Sequence, residues 1–246
     1  MNQTGKYELC IIAPVYNEED NIERLTGALT DYVTHASVST CILFVNDGSN
    51  DSSLEKIQAS CGKYQDVFYI GFDKNAGLSA ALKAGIDHIN SLYIGYIDSD
   101  LQTSPDDFEL LLPYRGDYEL VTGIRTGRKD SFGKRLSSQI ANRIRRLLTH
   151  DDVEDTGCPL KIIQTGSAKR IPFFKGMHRF LPALILLQEG RIKQIPVRHF
   201  ERKAGQSKFH LRNRLFGPFI DCFAYRWMKK RYINYTIITG NIETIG

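Results

Sequence analysis

Two carboxylates and an amide stand two residues apart at Asp98, Asp100 and Gln102, directly after an apolar run from Ser91 to Ile97 that reads as a buried strand. Hard oxygen ligands at a strand end suit a divalent cation. In open α/β sheets the ligand crevice lies outside the carboxyl ends of the strands, so Asp98 and Asp100 fall where a cation would bridge them to a diphosphate. That chemistry points to an enzyme that uses a nucleotide. The competing reading is a solvated turn in which an aspartate hydrogen-bonds the backbone two residues on. The rest of the chain has to decide between the two.

Such a group needs a sheet to hold it, and the hydrophobic pattern predicts one. Tyr7 to Ala13 reads as a strand, followed by a turn at Pro14 and a helix from near Glu18 with Ile22, Leu25 and Leu29 on one face. Cys41 to Val45 leads through Asn46 to Asp51 into a helix ending near Ser60. Val67 to Ile70 leads through Asn75 to Gly77 into an alanine-rich helix ending near Asn90. With the strand before Asp98 these make four βα units. Such alternation predicts an α/β fold with a mostly parallel central sheet and helices on both faces, and puts Tyr16, Asp47, Asn75 and Asp98 on loops at one sheet edge. Those loops form the expected nucleotide pocket. After Pro105 the order is less regular: a helix to about Leu112, a strand around Glu119 to Thr122, and an amphipathic, arginine-rich helix from Phe132 to Leu147. Arg125 and Arg128 precede that helix in what reads as a loop. Their guanidinium forks match phosphate oxygens bidentately.

At 246 residues the chain is long enough for one sizeable core, and 42% hydrophobic with 24% charged residues excludes wholesale disorder. No window approaches the roughly 18 uninterrupted apolar residues of a spanning helix, and the N-terminus lacks the pattern of a secretory leader, so a cytoplasmic chain is expected. Five cysteines, an odd number with no Cys-x-x-Cys pairing, argue against both a disulfide framework and a zinc site. Cys158 reads as a packing residue rather than a nucleophile. Charge is uneven. Residues 191 to 231 carry a net +10, leaving −6 for the remainder of a chain whose total is +4. A second basic stretch runs from Arg125 to Arg146. Without a reading helix, zinc finger or RNP-type aromatic signature, these surfaces point to phosphate groups or an anionic membrane rather than to nucleic acid.

Four segments, Ala13-Pro-Val-Tyr-Asn-Glu-Glu-Asp-Asn21, Val45-Asn-Asp-Gly-Ser-Asn-Asp51, Lys74-Asn-Ala-Gly77 and Asp98-Ser-Asp-Leu-Gln102, have the order and spacing of glycosyltransferase family 2. The chain resembles the dolichyl-phosphate mannosyltransferase-like branch of that family. Later matches are Gly123-Ile-Arg-Thr-Gly-Arg128, Asp155-Thr-Gly-Cys158 and Arg202-Lys-Ala-Gly-Gln-Ser-Lys208, so the resemblance covers roughly residues 7 to 210. It implies a GT-A fold, an inverting displacement, a UDP- or GDP-sugar donor and Mg²⁺ or Mn²⁺ on the donor diphosphate. Position by position it implies nucleoside contacts at Pro14, Tyr16, Glu18 and Asp47, metal and diphosphate contacts at Asp98 and Asp100, and a further metal-side ligand at Gln102. Asn46 stands where many members carry aspartate. A dehydrogenase would need a Gly-x-Gly-x-x-Gly turn after the first strand, where this chain has Pro14 to Glu18.

The acceptor can be argued from chemistry. A phosphate monoester, with a second pKa of about 6, is largely ionised at neutral pH and needs cations rather than a general base. Arg125, Arg128, Arg202, Ser207 and Lys208 would supply that capture, which favours a polyprenyl phosphate. A saccharide or lipid hydroxyl would need a base, and the resemblance puts Asp155 at a position considered for that role. An orienting carboxylate paired with an arginine is the equal alternative. A non-catalytic glycosyltransferase-like subunit is the third reading, against which the intact Asp98, Asp100 and Gln102 argue. Residues 1–210 are expected to form the catalytic domain, with 211–246 a basic, aromatic C-terminal segment. Many members of the branch continue into transmembrane helices, whereas Leu211 to Tyr235 mixes aromatics with Lys and Arg. That segment either lies on a membrane surface or closes the core as a helix. A membrane-anchoring partner or a homo-oligomer is also left open.

Overall fold

The computed structural model describes residues 3–126, 145–146, 148–149, 151–201, 211–235 and 238–239. The apolar runs form strands β1 (Leu9–Val15), β2 (Thr40–Asn46), β3 (Val67–Gly71), β4 (Tyr93–Tyr96), β5 (Leu120–Arg125), β6 (Lys161–Gln164) and β7 (Ile192–Val197). They hydrogen-bond in one sheet of order β3-β2-β1-β4-β6-β5-β7. Only β6 runs against its neighbours; β1, β2, β3 and β4 are mutually parallel, and β5 is parallel to β7. The carboxyl ends of six strands therefore share one edge with the start of β6. The chain leaves β1 toward β2 and β3 on one side and returns to β4 on the other, so the crevice between β1 and β4 is the switch point of the sheet.

Side-chain alternation on the central strands builds two cores. Cys10, Ile12, Cys41, Leu43 and Val45 face one side, and Leu9, Ile11, Ala13, Ile42 and Phe44 face the other. Helix α1 (Glu19–His35) covers the second side with Ile22, Leu25 and Leu29, all fully buried, and α2 (Ser53–Lys63) adds Ile57. Burying each such side chain contributes roughly 1.5–3 kcal/mol before entropy is counted. Helix α3 (Leu78–His88) covers the first side with Ala81, Leu82 and Ile86. There it is joined by Ala168 of α5 (Thr165–Lys169), by α6 (Leu181–Leu187), and by Cys222 and Tyr225 of α7 (Leu211–Lys229).

The four expected βα units are all present. Beyond Pro105 the predicted helix is broken into a 3-10 turn at Pro105–Asp107, a single α turn, α4 (Phe108–Leu111), and another 3-10 turn at Leu112–Tyr114. Pro113 lacks the N–H that would carry the α turn onward. The strand expected at Glu119 to Thr122 runs to Arg125, because its full length pairs with β7, some seventy residues away. Arg125 is thus the last residue of a strand and not a loop residue. The predicted helix from Phe132 to Leu147 lies mostly outside the described residues. At its end, Arg145 is buried, donating to the Asp151 carboxylate and, at 2.6 Å, to the Val153 carbonyl. It belongs to a packed ion pair and not to a solvated basic face.

Candidate active site

Three loops at the carboxyl edge are tied to one another before any ligand arrives. The Asp47 N–H donates to the Val15 carbonyl at 2.8 Å, and the Asn17 and Glu18 N–H groups donate to Ser49 Oγ and Ser53 Oγ at 3.0 and 2.9 Å. Asn17 Oδ1 accepts from the Asn50 N–H at 2.8 Å, and Asp51 accepts from the Glu19 N–H at the start of α1 at 3.2 Å. The Asp47 carboxylate reaches across to the third loop, accepting from the Ala76 N–H at 2.7 Å, the Gly77 N–H at 2.9 Å and Asn75 Nδ2 at 2.9 Å. Gly48, with φ +62°, lets the two loops touch: a Cβ there would fall 2.3 Å from the Lys74 carbonyl carbon. Burial raises the Asp47 pKa, although the Ala76 and Gly77 N–H groups pull against that shift.

Between these loops and the end of β4 lies a cavity of about 640 Å³. Seven expected residues line it: Pro14, Tyr16, Glu18, Asp47, Asn75, Asp98 and Asp100. Glu18 is buried, and its Oε2 accepts from Asn21 Nδ2 at 2.6 Å. Asp98 Oδ1 accepts from the buried Tyr96 hydroxyl at 2.6 Å, while the Gln102 N–H donates to Asp100 Oδ1 at 3.1 Å. The Asx turn is therefore real, and it operates inside a cavity wall rather than in solvent. Burial first, and the Asp100 charge second, push the Asp98 carboxyl up to about 6. A site that resists placing two negative charges side by side has the donor set and the electrostatic deficit that a divalent cation fits.

Arg125 and Asp155 meet at the same edge as a bidentate pair, with Nε to Oδ2 and Nη2 to Oδ1 both 2.8 Å. Gly157 lies against the guanidinium; a Cβ there would come 3.0 Å from Arg125 Nη2. Burial works to raise the Asp155 pKa, but the hydrogen bonds and charge of Arg125 outweigh it and hold the carboxyl below its usual range. Neither residue lines the cavity, and neither does Gln102, whose backbone rather than side chain makes the contact to Asp100. Arg128, Arg202, Ser207 and Lys208 lie outside the described residues.

The structure adds residues that the sequence reading missed. Lys161 opens β6 directly opposite Tyr96 in the antiparallel register, is 1% exposed, and donates to the carbonyls of Cys158 and, at 3.4 Å, Thr156. The available signal was a lone lysine in the apolar run Pro159 to Ile163. The far wall of the cavity, with Phe173, Phe174, Gly176, His178 and Arg179, comes from an irregular segment with no periodicity to read. There His178 Nδ1 and Ser79 Oγ are 2.9 Å apart, and the Gly176 N–H donates to the same hydroxyl at 3.1 Å. Burial lowers the His178 pKa to about 3, so the imidazole is neutral at physiological pH.

The sequence profile of Glycosyl transferase family 2 matches residues 10–172, a span that contains the whole β1 to β4 edge and the Asp98 and Asp100 pair. The chain belongs to that family. Among curated relatives it is 31% identical over 224 residues to the dodecaprenyl-phosphate galacturonate synthase of Rhizobium johnstonii, covering 87% of this chain and 65% of the relative. It is also 31% identical over 210 residues to the undecaprenyl-phosphate 4-deoxy-4-formamido-L-arabinose transferase of Salmonella choleraesuis, covering 82% and 62%. The chain thus spans less than two thirds of the length of these two relatives. Among solved structures, glucosyl-3-phosphoglycerate synthase from Mycobacterium tuberculosis, crystallised with Mn²⁺, UDP-glucose and phosphoglyceric acid, superposes with a TM-score of 0.67. That match covers 92% of this chain and 81% of the other at 14% identity, a likeness of fold. The family's GT-A architecture, expected from the motifs, is the architecture observed.

Proposed function

We propose that this chain transfers a sugar from a nucleoside-diphosphate sugar to a polyprenyl phosphate, with inversion, at the cytoplasmic face of a membrane. The observation that carries this reading is the convergence of Pro14, Tyr16, Glu18, Asn75, Asp98 and Asp100 on one cavity at the switch point of a family 2 domain. The names of both curated relatives, which act on polyprenyl phosphates, support the acceptor class. Tyr16 offers a ring to the base, and Glu18 an acceptor for base or ribose hydroxyls. Asp47 acts chiefly by holding the Asn75 to Gly77 loop, since its carboxylate already receives that loop's N–H groups.

Asp98 and Asp100, with Gln102 beside them, would hold Mg²⁺ or Mn²⁺, and when bound the ion would neutralise the charge that grows on the diphosphate as it leaves. The acceptor phosphate oxygen attacks the anomeric carbon from the face opposite the diphosphate. One C–O bond forms as the other breaks, and the electron pair leaves on the diphosphate. An ionised phosphate has no proton to give up, so no base is required. Asp155 fits this account: clamped on Arg125 and held at low pKa, it is a poor proton acceptor and a good orienting partner for the guanidinium. The remaining edge of Arg125, together with Arg128, Arg202, Ser207 and Lys208, is assigned to the acceptor phosphate.

The test is nucleotide release by the purified chain with Mn²⁺ or Mg²⁺ across UDP- and GDP-sugars, with and without polyprenyl phosphate. Release that depends on the lipid phosphate, and falls at least 100-fold in Asp100→Asn, is the expected result. Release restored by a saccharide hydroxyl in place of the lipid would overturn the acceptor assignment, and intact nucleotide binding without release under any condition would overturn the catalytic one.

A further inference from the structure

Helix α7 has two unlike faces. Inward, Cys222 and Tyr225 are buried, the Tyr225 hydroxyl donates to the Ala183 carbonyl at 3.1 Å, and Met228 packs beside them. Outward, Ile220, Phe223 and Trp227 are 66%, 52% and 63% exposed. Their spacing of three and four residues places them on a single stripe of the helix. One exposed apolar residue is ordinary, but a contiguous stripe of large ones marks a surface that something covers.

The charge pattern identifies what covers it. Arg226, Lys229, Lys230 and Arg231 are all exposed, and the Arg231 guanidinium carbon lies 5.5 Å from the centre of the Trp227 ring. The only acid of the helix, Asp221, is turned toward the cavity wall, where a Cβ on Gly176 would come within 2.8 Å of its Oδ2. The outer face thus presents apolar side chains and positive charge with no carboxylate among them. Ile233, Tyr235 and Ile238 extend the exposed apolar set beyond the helix. Large apolar side chains interleaved with cations are the chemistry of the headgroup region of an anionic bilayer, not of a dry protein interface. No helix among the described residues is long and apolar enough to cross a membrane.

We infer that the outer face of α7, through Ile220, Phe223, Trp227 and the flanking cations, docks on an anionic lipid bilayer, bringing the wall at Gly176 close to the lipid surface. This deepens the lipid-acceptor reading by naming the docking face. Its test contains no nucleotide sugar, so it can fail without the transferase reading failing.

Trp227 is the sole tryptophan of the chain, so its fluorescence reports on this face alone. The full chain is titrated with vesicles of phosphatidylglycerol and phosphatidylcholine, with phosphatidylcholine alone as the comparison. The expected result is a shift to shorter wavelength and quenching by acyl-brominated lipid with the anionic vesicles only. Partitioning should weaken roughly tenfold or more in Arg226→Glu/Lys230→Glu and on raising the salt. Ile220→Ser/Phe223→Ser, at exposed positions that leave the core intact, should lose binding to the same degree. Three results would overturn the inference: an emission unchanged by anionic vesicles, a shift that grows with protein concentration in the absence of lipid, as a second copy on this face would cause, or binding that survives both double variants.

Discussion

Lys161 is 1% exposed and its amine donates to two backbone carbonyls; burial lowers its pKa, and the nearby Asp155 and Asp98 carboxylates pull against that shift. Through Thr156 and Cys158 it pins the turn that carries Asp155, and Asp155 in turn holds Arg125. Lys161→Met removes both donors from buried carbonyls and should destabilise the fold by about 3 kcal/mol in chemical denaturation, a cost typical of breaking a buried charged group's contacts. His178 gives a pH dependence. Its folded pKa of about 3 lies below the ordinary value of 6.5, so between those limits the unfolded chain binds a proton that the folded chain refuses. The stability from keeping this histidine neutral is fully present above pH 6.5 and is lost as pH falls toward 3, at about 1.4 kcal/mol per pH unit at most. Asp98, with its raised pKa, works in the opposite direction, so the measurement is a comparison of variant with wild type. His178→Asn keeps a partner for Ser79 and removes the titration. Its loss of stability from about pH 6 to about pH 4 should be smaller by about 2 kcal/mol.

Among the connecting elements, two glycines separate chain geometry from helix propensity. Gly48 holds φ +62° where the β2 and β3 loops meet backbone to backbone, and neither neighbour can yield as a flexible side chain would. Gly48→Ala should cost on the order of 2–4 kcal/mol and, by displacing the Asn75 to Gly77 loop, weaken UDP or GDP binding at least tenfold in a calorimetric titration. Gly27 lies exposed within α1, with nothing within 4 Å of an added Cβ. Gly27→Ala should stabilise the protein by about 0.5–1 kcal/mol and leave nucleotide affinity unchanged. If both substitutions destabilised equally, the loop contact would have no special place in the site.

For the molecule as a whole, ligand linkage follows from a cavity built across the sheet's switch point. The β1, β2, β3 and β4 edges all contribute to it, so a bound nucleotide ties together elements that separate on unfolding. At about 100 times its dissociation constant a bound nucleotide should add about 2.7 kcal/mol, which for a chain of this size would raise the melting temperature by roughly 5–10 °C. Mn²⁺ or Mg²⁺ should enlarge that rise by relieving the Asp98 and Asp100 repulsion, and Asp98→Asn should remove the metal's share while leaving part of the nucleotide's. Differential scanning fluorimetry with nucleotide, metal, both and neither separates these contributions.

The four βα units, the two-sided core and the loops carrying Tyr16, Asp47, Asn75 and Asp98 were legible in the sequence because each depends on local alternation and on turn residues close in the chain. Asp98 and Asp100 were legible for the same reason, since a strand and its terminal loop are contiguous. The sheet beyond β4 was not. Strand β6 opens on a lysine and β7 contains Pro196, so neither shows a clean apolar pattern, and their pairing with β4 and β5 depends on contacts tens of residues apart. Arg125 therefore passed for a loop residue when it ends a strand, and its grip on Asp155, one of two readings the sequence left open for that carboxylate, needed the structure to decide. The same cause hid the burial of Lys161, which the register opposite Tyr96 brings beside the site, and His178, which meets Ser79 from 99 residues away. The C-terminal segment divides likewise: its mix of aromatic and basic residues can be read directly, but which of them face the core and which face outward depends on the packing of α7 against α6 and the loop at Gly176.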